Sequence, residues 1–199
     1  MPQPSKTGTP TRTGTDTPSA CERLTEAGRV LLAYFSRPGE NYHDGGRIDL
    51  KVGNTQVVAE MIAAIADVDV YRIEAADPYP ENYEGAVARN VREEASDARP
   101  AIANPLPSLA GHDTILLGSP IWNVQEPMIM RTFLESIDVT AATIHPFVTY
   151  AVSGIGRVER NYTRLCPEAT IGEPLAIRGE EATRARPQVE AWLGRIGLL

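Results

Sequence analysis

The chain is poor in the residues that hold metals. Two cysteines, Cys21 and Cys166, form no Cys-x-x-Cys pair, and no His/Cys cluster has the spacing of a structural zinc site. The three histidines, His43, His112 and His145, are scattered, so no metal is expected. Positive charge is also short. Nineteen Lys and Arg stand against 26 Asp and Glu, for a net charge of −7. Such a surface repels a phosphate backbone and an anionic bilayer, which argues against nucleic acid and membrane surfaces as partners. No apolar run approaches the ~18 residues that span a bilayer. The first residues have no apolar segment of the secretory kind, so a cytoplasmic location is the default expectation. A Gly-x-Ser-x-Gly elbow is missing as well, which leaves no basis for a Ser/His/Asp hydrolase.

What remains is an ordinary globular composition, 42% apolar and 23% charged, over 199 residues. That length suits one domain with a sizeable core. Residues 1–27 are rich in Thr, Pro and Gly and read as a disordered leader. Residues 28–199 read as the folded domain. Within it, "RVLLAYFS" (29–36), "DTILLGSPIW" (113–122) and "TIHPFVTYAV" (143–152) are near-continuous apolar runs, the pattern of strands buried on both faces. "DVYRIEA" (69–75) alternates as a further strand, and "ATIGEPLAIRG" (169–179) should hold a fifth. Between them lie helical segments. Val57, Val58, Met61, Ile62 and Ile65 share one stripe, with Asn54 and Thr55 as expected caps. A polar helix spans about 81–97. Another helix opens after Pro127, and Pro187 marks the first turn of the last one. Strands alternating with helices predict an α/β fold with a parallel sheet, joined by right-handed crossovers. Ligands of such sheets sit beyond the carboxyl ends of the strands, at the switch in strand order.

The three loops at those ends are unusual. The first runs from Ser36 to Asn54 and is long and polar, where connections of roughly 2–6 residues are usual. It ends in Gly53, Asn54 and Thr55 at a helix N-terminus, where free amides and the helix dipole favour an anion. No Gly-Lys-Ser/Thr or Gly-x-Gly-x-x-Gly follows, so this is neither a Walker A loop nor a dinucleotide fingerprint, and a simply capped helix remains an open reading. Its middle reads as a hairpin with Gly45-Gly46 at the tip and "RIDLKV" as the return strand. That hairpin is expected to fold over or beside the site. The second loop, "GSPIWNVQEP" (118–127), places Trp122 just past a strand end, where it must find an aromatic or apolar partner on the protein or on a ligand. The third, "TYAVSGIGR" (149–157), has Gly154 and Gly156, which let backbone approach a flat ligand or simply make a turn. Together the three loops match the parts of flavin mononucleotide (FMN): a phosphate, a flat tricycle and a hydrogen-bonding pyrimidine edge. Glu126 and Arg157, beside these loops, read as surface charges, and no residue reads as a dedicated acid–base catalyst.

"LLAYFSR…VGNTQVVAEMIA", "GSPIW…P…FLE" and "SGIGRVERNYTRLCP" resemble the flavodoxin-like family. They resemble most the subgroup whose phosphate loop carries an insertion of the form "GENY…G…D/N-L-K-V-G-N-T". The resemblance covers about residues 29–180. It implies a three-layer, doubly wound flavodoxin-like fold with a five-stranded parallel sheet in the order 2-1-3-4-5 and an FMN site. Carried over by position, Ser36, Arg37, Asn54 and Thr55 would hold the phosphate. Pro120, Ile121, Trp122 and Asn123 would flank the ribityl chain and the ring. Ser153, Gly154 and Gly156 would meet the ring edge. The chain departs from the subgroup after Trp122, where Asn123 and Val124 follow, and before Ser153, where Tyr150-Ala151-Val152 stand. The catalytic residues are not assigned. Three functions follow from the resemblance. The first is an oxidoreductase passing electrons from NAD(P)H through FMN to a small acceptor such as a quinone. The second is a single-electron carrier between protein partners, for which acidic charge would steer docking to basic reductases. The third is a flavodoxin fold that has lost FMN binding. A homodimer is compatible with the family and is not specified by the residues.

Overall fold

A computed structural model describes residues 28–199; the expected leader, 1–27, lies outside the described residues. Each apolar run becomes a strand of one parallel sheet. Strand β1 (Arg29–Tyr34) lies at its centre. Val30, Leu32 and Tyr34 face one way and Leu31 and Ala33 the other, and all are at least nine-tenths buried. A two-residue period with both phases apolar is what a strand covered on both faces requires.

The remaining sheet strands are β4 (Asp69–Arg72), β5 (His112–Pro120), β6 (Thr143–Tyr150), β7 (Thr170–Ile171) and β8 (Leu175–Arg178). All pair in parallel, in the order β4-β1-β5-β6, with β7 and β8 both on the outer side of β6. This is the 2-1-3-4-5 order expected, with the fifth position broken in two. The break falls at Gly172–Pro174. Pro174 has no amide to give to the ladder, and the Glu173 carbonyl is engaged elsewhere. It accepts from Trp192 Nε1 at 3.0 Å and from His145 Nδ1 at 3.1 Å.

Helices α1 (Asn54–Ala63) and α5 (Arg186–Arg195) cover one face, burying Val58, Ile62, Trp192 and Leu193 against Leu32, Leu116 and Phe147. Helices α3 (Met128–Glu135) and α4 (Val158–Leu165) cover the other, with Ile129, Phe133, Val158 and Tyr162 against Leu31, Ile115 and Ile144. Pro187 lies in the first turn of α5, as its sequence position predicts. Among the described residues no helix is long and apolar enough to cross a membrane.

Helix α2 (Tyr83–Ala95) is held differently. Asn82 caps it by accepting from the Gly85 amide at 2.7 Å. It buries Ala86, Asn90 and Glu93 rather than an apolar stripe. Its anchor is polar: Glu93 accepts from Tyr79 Oη at 2.8 Å and from Arg89 Nε at 2.6 Å, and the Arg89 guanidinium lies 4.0 Å from the Tyr79 ring centre. Burial and then the Glu93 carboxylate raise the Tyr79 pKa far above its ordinary value.

The long first loop contains a two-stranded antiparallel hairpin, β2 (Gly39–His43) with β3 (Gly46–Leu50). Its tip is Asp44-Gly45, one residue earlier than the expected Gly45-Gly46. Both tip residues have positive φ, 46° and 81°, the backbone that tight primed hairpin turns need.

Cys166 caps the end of α4 and is 5% exposed. Burial, and next the Glu135 carboxylate, push its thiol up to about 11. The thiolate is the reactive form. In a Cys21→Ser variant at pH 8, a disulfide-exchange reagent should therefore leave the folded protein untitrated and titrate one thiol once denaturant is added. Rapid titration of the folded protein would show this burial to be wrong.

Candidate functional site

A cleft of about 370 Å³ opens at the carboxyl ends of β1, β5 and β6. That volume lies within the range of small-molecule sites. Its floor is the join between β1 and α1. Ser36 Oγ accepts from the Gln56 amide at 3.1 Å, so the cap comes from across the loop, whereas Asn54 and Thr55 were expected to cap. Gly53 takes the N-cap position without a side chain because there is no room for one. A Cβ there would stand 2.4 Å from Ser36 Oγ and 2.5 Å from the Arg37 carbonyl. The amides of Asn54 and Thr55 precede the first intrahelical bonds and have no acceptor within the helix. Thr55 Oγ1 and Thr149 Oγ1 are 2.8 Å apart and buried, which ties this end of α1 to the end of β6.

Arg37 borders the cleft, but its guanidinium is committed. Nη1 donates to the carbonyls of Pro80 and Glu81 at 3.0 and 2.9 Å, and Nη2 donates to the Glu40 carbonyl. Burial lowers its pKa from an ordinary value so high that it stays charged. The side chain fastens the base of the hairpin to the loop before α2. Neither Asp, Glu, Lys, His nor Cys is found among the described residues lining the cleft.

Pro120, Ile121, Trp122 and Asn123 form one wall. The Trp122 ring meets Phe35 and Tyr79 edge-on, with centroids 5.7 and 5.1 Å apart. The turn that presents it, Trp122–Gln125, closes on two backbone bonds, Trp122 N to Gln125 O at 2.9 Å and Gln125 N to Trp122 O at 3.1 Å. Asn123 and Val124 both have positive φ, 46° and 65°. Asn tolerates this; a β-branched Val does not, so Val124 is strained.

Tyr150 and Ala151 border the cleft from the end of β6, beside Ile121, whose amide donates to the Thr149 carbonyl at 2.8 Å. Ser153, Gly154 and Gly156 do not border the cleft. Their turn folds onto the second loop instead: the Val124 carbonyl accepts from the Arg157 amide at 2.9 Å, and a Cβ on Gly156 would lie 2.3 Å from that oxygen. Gly156 thus serves loop-to-loop packing.

The hairpin borders the cleft and is fastened at both its base and its tip. At its base the Glu40 amide donates to the Glu81 carbonyl at 2.8 Å, and the Tyr83 amide donates to Glu40 Oε2 at 2.8 Å. At its tip the Asp44 amide donates to Glu180 Oε1 at 3.0 Å. Burial alone would raise the Glu180 pKa. The Asp44 amide, the residue's own amide and Arg178 outweigh it and hold the carboxyl below its usual range. Asn41 and Tyr42 of β2 border the cleft, as the reading of the hairpin as a flap expects.

A flavodoxin family model matches residues 50–196. The chain belongs to the flavodoxin family. Among solved structures, this flavodoxin-family chain is 30% identical to a protein from Bacteroides uniformis assigned as a flavoprotein. The match covers 84% of this chain and 98% of that one, with a TM-score of 0.68. A similarly assigned protein from Bacteroides eggerthii is 26% identical over 86% and 99%, also at 0.68. A flavoprotein from Lactobacillus acidophilus, solved in complex with FMN, shares the fold at 16% identity, 83% and 99% coverage and a TM-score of 0.60. No curated protein matches.

Sequence reasoning missed the face of α2 that borders the cleft: Tyr83, Val87, Asn90 and Val91. The signal was present as valines spaced four apart in an otherwise polar helix. It also misread Glu126. This carboxylate is fully buried, accepting from Asn161 Nδ2 at 2.9 Å and from Arg131 Nε at 3.0 Å. Partners on α3 and α4 make burial tolerable, and neither was visible from local sequence.

Val124→Gly removes the strain of the second loop at some cost in chain entropy. The net gain should be about 1 kcal/mol, a rise in Tm of about 2–4 °C by calorimetry. An unchanged or lower Tm would mean that the turn is not strained.

Proposed function

We propose that this flavodoxin-family chain binds FMN in the cleft and acts as an oxidoreductase, passing electrons from NAD(P)H to a small acceptor such as a quinone. The observation that carries the reading is the pairing of an open helix N-terminus with an aromatic wall in a cleft that, among the described residues, offers no carboxylate, imidazole or thiol of its own. Such a cleft suits a bound group that supplies the redox chemistry itself, as FMN does by accepting hydride and passing electrons on.

The residues present fit the group. The α1 amides of Asn54 and Thr55 and the hydroxyl of Ser36 suit a phosphate, and the helix dipole favours its charge. Ser36 Oγ accepts from Gln56, so its own proton is free to donate. Arg37, occupied by three carbonyls, contributes through its place in the loop rather than as a phosphate-binding cation. Pro120–Asn123 and Tyr150–Ala151, on adjacent strand ends, offer surfaces to a flat ring. The role expected of Ser153, Gly154 and Gly156 at the ring edge falls to Tyr150 and Ala151, which do border the cleft.

The small-acceptor reading is supported by exposed apolar side chains at the mouth. Tyr42, Val87 and Val91 are 38%, 40% and 52% exposed and border the cleft, under a hairpin that narrows the approach. A carrier that docks whole proteins has no need of an entrance bordered by a flap of this kind. Rapid mixing of the FMN-loaded protein with NADPH and with NADH tests the reading. Bleaching of the flavin band within seconds by either is expected. If neither bleaches it, the enzyme reading fails and the carrier reading takes its place.

Ser36→Ala removes both a phosphate donor and the cap of α1, and should weaken FMN binding about 10- to 100-fold and riboflavin, which lacks the phosphate, distinctly less. Equal loss for both ligands, measured by fluorescence titration, would place the phosphate elsewhere.

A further inference from the structure

Asn90 is 4% exposed and borders the cleft from α2. Its Nδ2 donates to Glu94 Oε1 at 2.7 Å. A carboxylate can only accept, so this bond fixes which way the amide faces. It leaves Oδ1, which is buried and has no hydrogen-bond partner among the described residues. Glu94 is held in turn on its other oxygen, where Asn123 Nδ2 donates at 2.6 Å. One carboxylate thus joins α2 to the Trp122 loop and orients two amides bordering one cleft. Buried acceptors are normally paired, and one left alone costs free energy. Around it the cleft side of the same helix is apolar, with Ala86 buried and Val87 and Val91 exposed, and Tyr42 comes from the hairpin.

We propose that this part of the cleft is a second subsite, distinct from the FMN walls. It takes a planar, mostly apolar ring that carries an N–H or O–H donor for Asn90 Oδ1. The subsite rests on the reading of the cleft as a flavin site. It narrows the small acceptor to a class: donor-bearing rings over rings with only carbonyl oxygens or methyl groups. Asn90 is the specificity-determining residue, and Glu94 is a positioning residue that acts through it.

The test uses 2-amino-1,4-naphthoquinone and 2-methyl-1,4-naphthoquinone, nearly identical in shape, of which only the first has N–H donors. Calorimetric titration of the full chain, with FMN bound and again without it, gives the dissociation constants. The amino compound should bind about tenfold or more tighter. Asn90→Leu should erase that preference and change FMN affinity by less than about threefold. Glu94→Gln, which frees the amide to turn over, should reduce the preference several-fold with Asn90 still in place. It carries the test if Asn90→Leu does not fold. Equal binding of the two compounds to the unaltered protein would overturn the subsite, and so would an FMN affinity that falls together with the preference in Asn90→Leu. A protein that takes up no FMN yet still prefers the amino compound would refute the flavin reading and leave the subsite standing.

Discussion

The functional end of the molecule depends on the hydrogen bond from the Gln56 amide to Ser36 Oγ, made over a glycine that has no space for a methyl group. Ser36 ends the run of β1, and Gln56 stands in the first turn of α1. The bond closes the neck of everything between them. It aims the N-terminus of α1 at the strand ends, and it pinches the intervening residues out as a separate hairpin. A side-chain cap of this kind is worth about 1 kcal/mol, small against the sheet. Its consequence is positional: the free amides of Asn54 and Thr55 end up beside the aromatic wall.

Around that neck, rigidity is distributed unevenly. The sheet, α1, α3, α4 and α5 are fixed by apolar burial on two faces. Helix α2 and the hairpin are fixed by directed polar contacts instead: Arg37 on the Pro80, Glu81 and Glu40 carbonyls, Glu93 on Tyr79 and Arg89, Glu180 on the hairpin tip. Polar anchors leave the apolar side chains of α2 unused by the core. Val87 and Val91 can therefore face a cleft.

The β1, β5 and β6 strands were legible because a strand buried on both faces leaves an unbroken apolar run. The sheet order came with the family resemblance and not with any single run. The broken fifth strand was less visible, since the engagement of the Glu173 carbonyl by His145 and Trp192 is a contact between distant segments. The same limit hid Glu126, whose burial depends on Arg131 and Asn161. Of the residues expected at the site, Ser36, Arg37, Asn54, Thr55 and Pro120–Asn123 come together around one cleft. Ser153, Gly154 and Gly156 do not, because a Gly-x-Gly turn has the same sequence whether it meets a ligand or a neighbouring loop. Here it meets the Val124 carbonyl.

The cleft is nearly uncharged although the chain carries a net charge of −7. Among the described residues its one cation, Arg37, is spent on backbone carbonyls, so backbone dipoles and hydroxyls are what they offer an anion. FMN binding in this cleft is the central claim, and it is tested most directly by titrating FMN with the purified, flavin-free protein while following flavin fluorescence. The account predicts quenching that saturates at a single FMN per chain. Fluorescence that stays unchanged with protein in excess would contradict it.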